Sequence, residues 1–187
     1  MRRTTMAVLG LLVALAGSVL QTSATPQKDE LKKLKNEIGL LESVLNQSIA
    51  QTFSAPFGML DAARGVYLPG YGAVLDFELN LSSSPPMGSF APLLTPEKQR
   101  AEREQEMKRR EQVKELAEKV LADFGQTLSD VPARESVAIV IHTVAVRDQG
   151  LERSVMVVQA PKEAIDEYHS NAIDRAAFLR KLSVMEY

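Results

Sequence analysis

The sequence has no cysteine and no tryptophan, and each absence removes a class of function. Without cysteine there is no disulfide framework, no thiolate nucleophile, no thiolate metal site and no redox couple. The lipid anchor that bacterial lipoproteins attach to a cysteine is excluded for the same reason. Ten aromatic residues in all are little material for a base-stacking platform or a sugar-binding strip. Histidine is scarce as well. His142 and His169 are the only two, and their separation matches no metal-ligand spacing. Nucleophile elbow, P-loop, zincin and calcium-loop motifs are all missing, so no cofactor and no metal are expected.

What the chain does have begins with an export signal. Met1, Arg2 and Arg3 are followed by an uncharged apolar run over residues 6 to 20 and by polar and small residues up to Pro26. This is the order of a positive n-region, an apolar h-region and a cleavable c-region. The arginines stay on the cytoplasmic side, and cleavage is expected after Ala24, with Ala16 as the weaker choice. The twin arginines lack the longer polar n-region of a folded-export signal, which favours the general secretory route. An uncleaved anchor is the alternative, but residues 6 to 20 span only about 22 Å as a helix against a hydrocarbon core of roughly 30 Å. The expected location is therefore periplasmic or extracellular, with membrane contact only through the uncleaved signal.

Removal of residues 1 to 24 leaves 163 of the 187 residues, enough for one domain with a sizeable core. The 22 basic residues become 20 when Arg2 and Arg3 are lost, against 24 acidic ones, a net charge of −4. Such a surface has no general attraction for nucleic acid or anionic lipid.

Along the mature chain, residues 25 to 56 read as an amphipathic, coiled-coil-like helix. Leu31, Leu34, Ile38, Leu41 and Leu45 recur at spacings of three and four, and Ile49 and Phe53 continue the stripe. A single apolar stripe must find a partner. Docking on the chain's own domain and association with itself or another protein both satisfy it, and the seam makes a protein partner or self-association the expected role of this helix.

Residues 57 to 187 read as one α+β domain. Strands over 60 to 68 and 72 to 81 form a hairpin turned by Pro69, Gly70, Tyr71 and Gly72. A Ser/Pro-rich loop over 82 to 95 follows. A long helix over 96 to 124 is opened by Thr95 and Pro96 and stopped by Gly125. Its first half is charged and reads as a solvated arm, whereas Val113, Leu116, Ala117, Val120, Leu121 and Phe124 form an apolar face. Residues 136 to 160 give a second hairpin whose first strand is apolar on both faces. Helices opened by Pro161 and capped by Asn171 follow, and residues 182 to 187 return as an edge strand. Consecutive hairpins with segregated helices imply an antiparallel sheet packed by helices, not a parallel doubly wound sheet.

Two sets of residues are candidates for function. Arg64, Tyr67 and Tyr71 cluster around the first turn and would suit a recognition edge, since arginine and tyrosine favour interfaces. Ordinary turn chemistry, with Gly70 and Gly72 at positive φ, explains the same residues. Asp76 and Glu78 share the wet face of one strand, about 7 Å apart, near the separation of paired-carboxylate hydrolases. His142, inside the most apolar strand, reads as a structural histidine with one satisfied hydrogen bond, and only the alternative polar site adds it to Asp76 and Glu78. The main expectation is a non-enzymatic interaction or accessory protein of the cell envelope; the alternative is a small hydrolase or ligand-binding domain built on Asp76, Glu78 and His142.

Overall fold

A computed structural model of the chain describes residues 28–82, 95–147 and 150–187. The signal region and most of the Ser/Pro-rich loop lie outside the described residues. The elements run α1 (Lys28–Thr52), β1 (Gly58–Leu68), β2 (Gly72–Asn80), α2 (Pro96–Phe124), a 3-10 turn (Gly125–Thr127), β3 (Ser136–Arg147), β4 (Gly150–Pro161), α3 (Lys162–His169), α4 (Arg175–Lys181) and β5 (Ser183–Glu186). The fold is α+β, with one five-stranded, mostly antiparallel sheet in the order β1-β2-β3-β4-β5.

The two hairpins expected from the sequence are present, but they meet in parallel. β2 runs alongside β3 from Gly72 opposite Ser136 to Asn80 opposite Val144, while the other three pairings are antiparallel. The reason is the connection. A helix of 29 residues carries the chain back along the sheet, so the next strand starts at the end where β2 started. Hairpin reasoning sees only the short turns, and the crossover lies between them.

Alternation divides the sheet into two faces. Ala73, Leu75, Phe77 and Leu79 of β2, Val137, Ile139 and Ile141 of β3, and Met156, Val158 and Ala160 of β4 point inward. All four helices contribute to the core over this face, through residues such as Leu41, Leu121, Ile165 and Phe178. Leu34, Ile38, Leu41, Leu45, Ile49 and Phe53 are buried, so the apolar stripe of α1 is spent inside the molecule. Helix α1 and residues 57–187 share one core.

Helix α2 stops at Phe124 with Gly125 as its C-cap, as expected, and with φ −58 at Gly125 the chain tightens into the 3-10 turn. Two local expectations need correction. Asp174, not Asn171, caps α4, its carboxylate accepting the Ala177 N–H at 2.7 Å. The charged half of α2 is only partly solvated. Glu106 is buried, and Arg109 donates to the Leu81 carbonyl at 2.6 Å while its guanidinium lies 3.7 Å from the Phe57 ring centre. Burial of an arginine stem with its head on a ring and a carbonyl satisfies both ends of the side chain.

Candidate functional site

The turn from β1 to β2 is held by structural groups. Gly70 and Gly72 both have positive φ. A Cβ on Gly72 would fall 1.8 Å from the Ser136 carbonyl oxygen, so glycine is required by space as well as by conformation. The buried carboxylate of Glu135 accepts the Gly70 N–H at 3.0 Å, and the Ser136 N–H donates to the Tyr71 carbonyl at 2.8 Å. Burial, reinforced by the Glu135 carboxylate, pushes the Tyr67 phenol up to about 12. Arg64 lies on the opposite face from Tyr67 and pairs with Asp61 at 3.4 Å. Arg64, Tyr67 and Tyr71 therefore do not form one cluster; turn chemistry accounts for the glycines and Tyr67.

The helix candidates separate in the same way. Leu34, Ile38, Leu41 and Leu45 face the core, and Leu31 is 43% exposed at the end of the stripe. Glu42 and Asn46, on the flank of that stripe, reach the free edge of β1. The Glu42 carboxylate accepts the Gly65 N–H at 2.5 Å and the Asn46 side-chain oxygen accepts the Ala63 N–H at 2.8 Å. A Cβ on Gly65 would come 2.3 Å from Ile38 Cγ2, so the helix sits close against the strand.

The polar set does converge. Parallel register places Glu78 beside His142 and Asp76 beside Val140, and Asp76 Oδ2 lies 2.7 Å from His142 Nε2. The side chains of His142 and Asp76 are 43% and 58% exposed. His142 thus has the one hydrogen bond expected of it, but makes it half in solvent. β3 is mostly apolar on both faces, but its even-numbered side chains belong to the sheet's outer face, where no described helix packs. Asp61 stands directly opposite Glu78 across the β1–β2 ladder, and Arg153 of β4 approaches Glu78 at 4.0 Å. Three carboxylates thus occupy adjacent positions on two strands, an arrangement that is unfavourable without countercharge. Arg64 and Arg153 supply it.

Around this cluster the outer face presents Val66, Val74, Val140, Val155 and Val157 between half-buried and exposed. Asp76 is placed to orient the imidazole of His142, as a carboxylate does for a catalytic base. No serine or threonine is hydrogen-bonded to His142 among the described residues, and Thr143 and Ser154 bond each other on the opposite face. His169 is engaged elsewhere, its ring N–H donating to the Ala122 carbonyl at 2.6 Å. Among the described residues no three His, Asp or Glu side chains are grouped to hold a metal ion.

Asp61 and Arg153 were not legible as site residues. Each sits in an unremarkable run of sequence, and only strand register brings them to Glu78. Compared with protein families, with curated proteins and with solved structures, the chain matches none.

Proposed function

We propose that this chain is an exported, non-enzymatic interaction protein of the cell envelope that binds another protein across the open face of its sheet. The observation that supports this is the composition of that face. A bed of β-branched side chains surrounds the carboxylates of Asp61, Asp76 and Glu78, and half-exposed valines in a contiguous group are the usual mark of a surface that is covered in use. The partner is a protein surface that brings apolar side chains and at least one lysine or arginine, because acidic groups outnumber the arginines on this face. The hydrolase reading has its residues assembled, but on an open surface instead of in a water-excluding pocket. The expected association through the seam of α1 has no free seam to use, since four of its five leucine and isoleucine positions lie in the core.

A photo-crosslinking residue at Val140, introduced in the producing cell, tests the proposal. We expect an adduct with one defined protein that is lost when Asp76→Lys is added. Adducts no different from those formed at exposed Asn171, or adducts indifferent to Asp76→Lys, would overturn it. The intact mass of the secreted product checks export itself, with Thr25 as the expected first residue; a full-length mass in the membrane fraction would establish the anchor instead.

A further inference from the structure

The two edges of the sheet are treated differently. An exposed strand edge is a row of unpaired backbone donors and acceptors that invites another strand, and proteins blunt it with bulges, charges or covering groups. On the β1 edge all of these are present. The ladder slips between Asp61 and Arg64, Glu42 and Asn46 occupy the outward N–H groups of Gly65 and Ala63, and α1 closes over Gly65. The β5 edge is guarded less: the strand is short and carries one charge, Glu186, which is engaged by Arg110 of α2, but among the described residues it has no bulge and no covering side chain. β5 has no proline, glycine or lysine, and no register shift. Val184, Met185 and Tyr187 are 40%, 37% and 75% exposed.

We propose that the outer edge of β5 pairs antiparallel with the same edge of a second copy of this chain, joining two five-stranded sheets into one of ten strands. The register follows from the backbone. Tyr187 exchanges both hydrogen bonds with Val155 at 2.9 and 3.1 Å, so odd-numbered residues of β5 bond to β4 and the backbone groups of Val184 and Glu186 point outward. A two-fold antiparallel pairing must match outward-pointing residues with one another. Centring it on Glu186 sets that carboxylate against its own copy, which is repulsive. Centring it on Met185 sets Val184 against Glu186 of the partner in both directions. This register pairs all five residues from 183 to 187 and keeps the acids apart. Glu186 retains Arg110 of its own α2 at 3.3 Å. Met185 then faces its copy across a non-hydrogen-bonded pair, on the same outer face that carries the carboxylate cluster, so the two open faces become continuous.

The absence of cysteine makes the test clean. Two residues in a non-hydrogen-bonded antiparallel pair have Cα atoms about 4.5 Å apart, within the range a disulfide spans. Purified Met185→Cys protein, mildly oxidised, should therefore form a disulfide-linked dimer, while Ser170→Cys, exposed on α3's C-terminal end, should not. Sedimentation of the wild type should show a dimer. Val184→Pro removes one outward N–H and no bond to β4. It should weaken dimerisation about thirtyfold, since two hydrogen bonds are lost by symmetry, with unchanged circular dichroism and melting of the monomer. A monomeric wild type, a dimer indifferent to Val184→Pro, or equal cross-linking at positions 185 and 170 would each overturn the proposal.

Discussion

Tyr67 shows how a single side chain couples the turn to solution conditions. Its phenol is raised from 10.0 to about 12 by burial first and by the Glu135 carboxylate second. The folded protein therefore holds this proton more tightly than the unfolded chain does. Below pH 10 both states keep it and the contribution to stability is complete. As pH climbs from 10 towards 12, the unfolded state releases the proton first and that contribution is lost. The melting temperature of the wild type should fall more steeply across this window than that of Tyr67→Phe, and equal slopes would mean that the phenol is not shielded. The sequence marks Tyr67 as part of the turn, but not Glu135 as its partner, because nothing in a sequence links a residue before β3 to a turn 65 positions earlier. The same limit applied to His142. Its strand reads as buried on both sides because its outer positions are mostly valine and alanine, and only the absence of a described helix on that side leaves the imidazole half in solvent.

At the scale of elements, most of the fold was legible, because the signals were local. The stripe in α1, the alternation in β2, the Thr95 cap and the turn glycines each state a geometry within a few residues. What escaped was where an element meets its partner. A stripe says that a helix must dock, not on what, and α1 docks on its own sheet. Leu41→Ala in α1 and Leu121→Ala in α2, both fully buried, should each cost about 2 to 5 kcal/mol, measured by denaturant unfolding. Substitution of exposed Arg103 should cost under about 0.5 kcal/mol. Arg109→Ala should cost more than that, although it lies in the same charged half of α2, because it loses the Leu81 carbonyl and the Phe57 ring together. A loss at Arg109 no larger than at Arg103 would mean that the first half of α2 is fully solvated.

For the whole molecule, the open outer face of the sheet, opposite the layer of helices, continues through Met185 to the less guarded edge of β5. The parallel joint between β2 and β3 has a further consequence, for the order in which the molecule assembles. Every pair in that ladder is 64 positions apart in the chain, whereas β1 with β2 and β3 with β4 are closed by turns of a few residues. Local hairpins form in about 1 to 10 μs. The joint must wait until a long segment has been closed and its entropy surrendered. Folding should therefore be limited by the zipping of two preformed halves along Leu75, Phe77, Ile139 and Ile141. Stopped-flow measurements on Ile139→Val should show slower refolding with little change in unfolding, and Phe178→Leu in α4 should show the reverse. Refolding unaffected at Ile139 would place the joint after the rate-limiting barrier, and the molecule would then commit to its fold before its centre is made.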